Sequence, residues 1–554
     1  MQLIRFFAMT TALLSVVVLH SARADTPKVV ESQYDLVIRN GRVLDGAGNP
    51  WVEADIGIKD GKFAKIGRIE AANTNEIDAT GKYVSPGWID MMDQSGRVLR
   101  QNGRAENKIL MGVTTVIAGE GGTPVPAGEI DQYFDQLTSH GIALNFGTYY
   151  SATQARRAVM GDAAGTPTEE QMEQMKALVA TAMEQGALGI TTALIYPPAT
   201  FQSTDEIVEL AKIAAQYGGI YASHIRDESG SLLEAIQEAI EIGERAELPV
   251  EIFHLKAAYK PGWGQLMPRA GELIEEARRQ SVNIAADLYP YRAGGTGLEV
   301  TAPTWVFAEG LEKALERLKD PEIRTQLKKE IEAGPQANWS NLVHASGGWD
   351  NVMLANAYNS KYDRFRFKSI AYIAEELGEH PADVAWNIAL EALPKRALAL
   401  FFMMSEEDIE TGLQFPWVSI GSDAAAAADA NGVDALGLPH PRSYGTFPRI
   451  IAEYVRERGV LTLPDAIRKM TSWPASRMGL HDRGVIREGL WADVVIFDYE
   501  DIKDNASWEH PTAYPTGIDY VLVNGRIVAE GGVHTGVLAG QILKGPAAAQ
   551  QSHQ

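Results

Sequence analysis

At 554 residues, with 45% hydrophobic and 22% charged residues, the chain has the size and composition of a globular protein with a large core. Its formal net charge of -22 disfavours nucleic acid and anionic membrane surfaces as partners. It has no cysteine, which excludes disulfides and removes thiolate from the possible metal ligands and nucleophiles.

Residues 1–24 carry Arg5, an apolar run from Phe6 to Leu19, and the close Ser21-Ala22-Arg23-Ala24. A basic start, a short apolar segment and an Ala-x-Ala site predict a cleaved secretory leader and an exported, periplasmic protein. An uncleaved anchor is the competing reading, disfavoured because the run is short for a membrane span. No later stretch reaches that length, so no membrane insertion is expected after cleavage.

The two ends of the mature chain look alike. Residues 34–43 alternate apolar and polar side chains and reach Asn40-Gly41; residues 520–528 do the same at Asn524-Gly525. Both read as hairpins with tight Asn-Gly turns. With further strands expected at 54–58, 63–66 and 492–497, residues 25–82 and 486–545 are expected to pair into one small β-sandwich. Residues 546–554 read as a frayed tail.

Residues 83–485 alternate buried-strand patterns with amphipathic helices. Strands are expected at 83–90, 113–118, 142–146, 187–192, 219–224, 249–254, 282–287 and 418–423, with helices such as 205–217 and 231–246 between them. Eight βα repeats predict an α/β fold, a (β/α)8 TIM barrel. Residues from about 303 to 366 break the rhythm and read as an insertion before the last strand, covering one mouth.

Chemistry-bearing residues collect at predicted strand ends. His224 ends Gly219-Ile220-Tyr221-Ala222-Ser223, His254 ends Pro249-Val250-Glu251-Ile252-Phe253, and Asp423 ends Ile420-Gly421-Ser422. Barrel active sites are built at this rim, and two imidazoles with a carboxylate suit zinc. The alternative is two unrelated histidines and a loop-capping aspartate.

The segments Ile195-Tyr196-Pro197-Pro198, Tyr221-Ala222-Ser223-His224-Ile225-Arg226-Asp227-Glu228, His254-Leu255-Lys256, Tyr289-Pro290-Tyr291, Gly421-Ser422-Asp423 and His440-Pro441-Arg442 occur in one order. Together they resemble the N-acyl-D-amino-acid deacylase (D-aminoacylase) branch of the amidohydrolases, over residues 34–543. The resemblance implies a metal-bearing barrel and Tyr289 as an oxyanion donor, against a structural tyrosine under the insertion. It also implies Tyr196 among the substrate contacts.

The departures matter as much. The family opens with His-x-His after the first strand, where this chain has Met92 and Gln94; a thioether and an amide are poor zinc ligands. The family's cysteine after the second strand is also missing: Gly121 occupies its place, one residue after Glu120. Glu120 is expected to restore the ligand, giving one divalent metal, zinc, on Glu120, His224 and His254; a cap or salt bridge is the alternative. Asp423 then reads as the group that accepts the water's proton and passes it to the departing nitrogen.

Recognition of a substrate carboxylate needs fixed cations, for which Lys256, Arg292 and Arg442 are candidates. Arg292 either selects an acidic substrate or points to solvent. Arg226 and Asp227 either orient His224 or form a surface ion pair. The expected partner is a small amide with a free carboxylate, an N-acyl-D-amino acid or D-dipeptide-like compound. A cyclic-amide hydrolase on the same scaffold and a degraded binding protein are the alternatives.

Overall fold

Gly87 is where the chain leaves one sheet for another. Tyr83–Pro86 pairs with Val494–Phe497 and with Leu36–Val43 in a terminal β-domain, whereas Trp88–Asp93 begins the barrel. A Cβ at position 87 would lie 2.1 Å from Thr114 Oγ1, so the crossing requires glycine. The single strand expected over 83–90 is thus divided between two domains. The computed structural model describes residues 33–551 except 71–72, 74, 337–338 and 428–439, so the leader expected at 1–24 lies outside the described residues.

Eight parallel strands form the barrel: β1 (Trp88–Asp93), β2 (Val113–Ala118), β3 (Asn145–Thr148, continued by Tyr150–Ser151), β4 (Gly189–Ala193), β5 (Ile220–His224), β6 (Val250–Ile252), β7 (Ile284–Leu288) and β8 (Val418–Ile420). Each pairs with its neighbour in chain order. The ring closes where Asp93 bridges Ala424 and the Asp423 amide donates to Met92 O at 2.8 Å. Strands expected to run to 254 and 423 stop at 252 and 420. Beyond them the backbone reaches positive φ, 38° at His254 and 49° at Asp423, which a strand cannot accommodate.

The flanking helices follow from their sequences. Thr204–Gln216 is capped by Ser203, whose hydroxyl accepts from the Glu206 amide, with Asp205 and Glu206 in the first turn. Leu232–Ala246 buries Leu232, Ile236, Ala239, Ile240 and Gly243 at helical spacing. Each large aliphatic among them contributes about 1.5–3 kcal/mol by leaving water.

In the β-domain, nine strands from both ends form one sheet whose core joins Ile38, Ile56 and Phe63 to Val494, Ile496 and Leu522. Asn524-Gly525 makes the expected two-residue turn between Ile518–Val523 and Arg526–Glu530, both residues having positive φ. Asn40-Gly41 does not turn the chain. Asn40, at φ 56°, takes up a register shift inside Leu36–Val43, so the same dipeptide serves a bulge here.

The insertion is wider than 303–366. A three-stranded antiparallel sheet of Ala293–Gly297, Leu398–Phe402 and Val352–Asn356 carries the helices Pro321–Glu332, Ile370–Leu377 and Pro381–Glu391. Its first strand, Ala-Gly-Gly-Thr-Gly, has no apolar alternation to announce it. The tail is helical over Pro546–Gln551 rather than frayed. Among the described residues, no helix is long and apolar enough to cross a membrane.

Candidate metal centre

Three side chains meet at the barrel mouth. Glu120 follows β2 after Gly119, which turns at φ 111° with its Cα against Tyr149 and Thr148. His224 is the last residue of β5, and His254 lies two residues past β6. Glu120 Oε1 is 2.9 Å from His224 Nδ1 and 3.3 Å from His254 Nε2. One ligand atom from each lies within 4.8 Å of the others, a spacing one metal ion can bridge.

The electrostatics fit a cation. Burial opposes ionisation of Glu120, but hydrogen bonds from His224 and His254 outweigh it and hold the carboxyl well below its ordinary range. Burial and the Lys256 ammonium push His254 down, yet Glu228 and Glu120 bring it up to about 9. The donor set therefore gathers positive charge at its centre, carried by a proton when no metal is there.

Glu228 completes the surroundings and was not assigned a role from sequence. Its Oε1 is 3.0 Å from His254 Nδ1 and 2.5 Å from Lys256 Nζ, and its Oε2 is 3.6 Å from His224 Nε2. A metal on His254 Nε2 requires the proton on Nδ1 and directed at Glu228, with the Lys256 ammonium, 2.7 Å from the same nitrogen, donating to Glu228 instead. Arg226 and Asp227 do not touch His224. Arg226 pairs with Glu238 at 2.7 Å, and Asp227 accepts from Ser340 in the insertion at 2.8 Å. Glu228→Gln should weaken metal binding about 10–100-fold, the range for such outer contacts, read by competition with a chelator.

Of the two residues in place of His-x-His, Gln94 faces the same pocket, whereas Met92 is buried in the barrel core with its sulfur 3.9 Å from the Gln94 amide nitrogen. The Gln94 amide nitrogen donates to Glu120 Oε2 at 2.7 Å and to Asp423 Oδ1 at 3.3 Å, linking the two carboxylates. Asp423 stands outside the three-ligand cluster, with Oδ2 at 2.6 Å from Arg442 Nη1. Arg442 Nε is buried without a hydrogen-bond acceptor among the described residues, while Nη1 is taken up by the ion pair to Asp423. The Arg442 guanidinium stacks 4.7 Å from the Tyr289 ring centroid, and Lys256 Nζ lies 5.5 Å from it. Burial, opposed by Arg442 and reinforced by Asp423 and Glu228, raises the Tyr289 hydroxyl well above its ordinary value, so it keeps its proton.

These groups line a cavity of about 310 Å³. Ile195, Tyr196, Leu342 and Arg396 also line a second, adjacent chamber of about 300 Å³. Tyr196 packs 5.2 Å from the His224 ring. Arg292 is exposed and lines neither cavity, which corrects its expected place among the substrate cations. The chain bends at Tyr289-Pro290-Tyr291, where the Tyr291 amide returns to Tyr289 O at 3.0 Å, and this bend puts Tyr291 inside and Arg292 outside. Arg396, supplied by the insertion, is the cation that sequence reasoning missed.

A barrel with a carboxylate–imidazole cluster at its rim defines the metal-dependent amidohydrolases, and a profile of the Amidohydrolase family matches residues 411–529. The chain is 31% identical over 542 residues to a D-aminoacylase of Alcaligenes xylosoxydans xylosoxydans, covering 93% of this chain and 98% of that one. An N-acyl-D-glutamate deacylase from the same organism is 30% identical over 520 residues, covering 90% and 94%. Among solved structures, the N-acyl-D-glutamate deacylase of Bordetella bronchiseptica, complexed with zinc and a phosphonate mimic of the tetrahedral intermediate, superposes with a TM-score of 0.76 at 28% identity. That match covers 92% of this chain and 99% of the other. The chain belongs to the N-acyl-D-amino-acid deacylase (D-aminoacylase) family, metal-dependent enzymes that hydrolyse amide bonds.

Proposed function

We propose that this protein is an exported one-zinc deacylase that cleaves N-acyl-D-amino acids bearing a free carboxylate and an apolar substituent. The observation that carries the reading is the Glu120–His224–His254 cluster opening into a pocket walled by Asp423, Tyr289, Lys256 and Arg442. A divalent ion on those three ligands supplies Lewis acidity, making water more acidic and polarising the acyl carbonyl. A single ion is favoured because Met92 and Gln94 stand where further ligands would be needed, and Gln94 already spends its amide on Glu120 and Asp423.

Asp423 accepts the proton as the water oxygen bonds to the acyl carbon. It returns that proton to the nitrogen as the C–N bond breaks, releasing a carboxylic acid and a free amino acid. Tyr289, held protonated, donates to the oxygen where negative charge develops. Arg442, whose Nε has no acceptor and whose Nη1 pairs with Asp423, holds the substrate carboxylate, and Lys256 adds positive charge from behind His254.

The second chamber argues for the apolar substituent. Pro197, Pro198, Val300, Phe307, Leu311 and Trp339 wall it. Arg157, Arg226 and Arg396 on its rim are each paired, with Asp162, Glu238 and Glu299. Together the two spaces accommodate far more than an acetyl group. The D-configuration rests on the relatives, and export on the leader-like residues 1–24.

The test is metal analysis of the purified protein beside a panel of N-acetyl-D- and L-amino acids. One zinc per chain and turnover of D-leucine, D-methionine or D-phenylalanine derivatives ahead of D-glutamate and D-aspartate derivatives are expected. Absence of tightly held metal, with no amidase activity on adding divalent ions, would sink the proposal.

A further inference from the structure

Asp423 sits on a segment that cannot hold itself. Its φ of 49° is one that a non-glycine residue keeps only when its surroundings impose it. Residues 424–427 are four alanines, with no side chain able to fix the loop. The loop is nevertheless gripped from outside, chiefly by the short helix Glu106–Leu110. Lys108 Nζ donates to Ser422 Oγ at 2.7 Å and to Ala424 O at 2.6 Å, the residues immediately before and after Asp423. It also meets Asp90 and Asp93, each at 2.8 Å, and the Lys108, Asp90 and Asp93 side chains are fully buried. Asp90 accepts in turn from the Ser422 amide at 2.8 Å and the Ser422 hydroxyl at 2.5 Å. Asn107 takes the loop further along, donating to Ala425 O at 3.1 Å and accepting from the Ala427 amide at 2.8 Å.

A buried charge is costly, and it is retained where its bonds specify a geometry that apolar packing cannot. Burial works against the Lys108 ammonium, but Asp90 and Asp93 more than offset it and keep it charged. The bonds it makes beyond those carboxylates go to the two neighbours of Asp423.

We propose that Lys108 is a positioning residue that aims the Asp423 carboxylate at the scissile nitrogen. The proposal rests on the reading of Asp423 as proton carrier. Lys108 touches neither substrate nor metal ligands. Its loss lets the Asp423 backbone drift, and a displacement of about 1 Å at a reacting group costs on the order of a hundredfold in rate.

The test compares an amide with the matching ester, in which oxygen replaces the scissile nitrogen. An amine must be protonated to leave, whereas an alkoxide leaves with far less help. Lys108→Met is expected to lower kcat on the amide by about a hundredfold and on the ester by less than about tenfold, with metal content and KM little changed. If that variant does not fold, Ser422→Ala, which removes one Lys108 bond and the hydroxyl's bond to Asp90 but leaves the Lys108–Asp90–Asp93 charges paired, should show the same amide–ester split at smaller size. Equal losses on both substrates, loss of metal, or full amide activity overturns the positioning role. Asp423→Asn on the same two substrates separates the premises: if its loss on the amide is no larger than on the ester, Asp423 does not hand the proton to the leaving nitrogen, and the half of the proton-carrier reading on which the proposal rests has failed. If it shows the split and the Lys108 and Ser422 variants do not, the positioning role alone has failed.

Discussion

Asp423→Asn is expected to lower kcat for amide hydrolysis by about a thousandfold, within the ~10²–10⁴ range for loss of a general acid–base group. Asparagine tolerates positive φ as well as aspartate does, so the backbone at φ 49° has no new reason to move. Its side-chain oxygen can still accept from Gln94, which lies 3.3 Å from Oδ1 in the parent chain. What disappears is the ability to carry a proton, together with the ion pair to Arg442 at 2.6 Å. Losing that pair leaves Arg442 freer to bind a substrate carboxylate, so KM should hold steady or fall while kcat collapses. That opposite movement separates a lost proton carrier from a damaged pocket, which would raise KM. Metal content is the second readout and should not change, because Asp423 lies outside the Glu120–His224–His254 cluster. A variant that lost its metal would make Asp423 a ligand instead.

The parts legible in the sequence are those where a repeating pattern meets a fixed geometry. Buried apolar runs of strand length place His224 and His254 at the rim, because a parallel barrel strand presents its C-terminal end to the active site. Glu120 could be proposed because it stands one residue before the place of the cysteine that the family resemblance implies, at a glycine-rich strand end from which a carboxylate can reach a metal. The misses share another cause: they depend on how irregular backbone folds back. Glu228 sits in an ordinary-looking charged run after His224, and only the loop's path turns it toward both histidines while Arg226 and Asp227 turn away. Lys108, on a five-residue helix, reads as a surface lysine until Asp90, Asp93 and Ser422 are seen around it. Arg396 comes from an insertion whose glycine-rich first strand carries no periodicity. The same limit explains Asn40-Gly41, where local preference for positive φ is satisfied equally by a bulge or a hairpin turn, and the partner strand decides.

Glu120→Gln should reduce metal affinity by more than the roughly 10–100-fold expected for outer contacts such as Glu228, and leave the purified protein largely without metal. The substitution keeps shape and removes charge. A neutral amide oxygen is a weak zinc donor, whereas the carboxylate supplies the one negative charge among the three ligands. It also changes how binding responds to pH. A metal must displace the proton from His254, which is held at about 9 against the opposing effects of burial and Lys256. Affinity in the parent protein should therefore rise with pH until about 9 and level off above it. Glu120 is one of the two carboxylates that raise His254, so its neutralisation lowers that value and moves the levelling point to lower pH. Titrating zinc into metal-free protein across this range measures both effects. Unchanged stoichiometry in the variant would return Glu120 to a structural role and leave His224 and His254 needing a different third ligand. A loss of affinity with the levelling point unmoved would mean that Glu120 binds the ion without governing the His254 proton, and that Glu228 alone holds it.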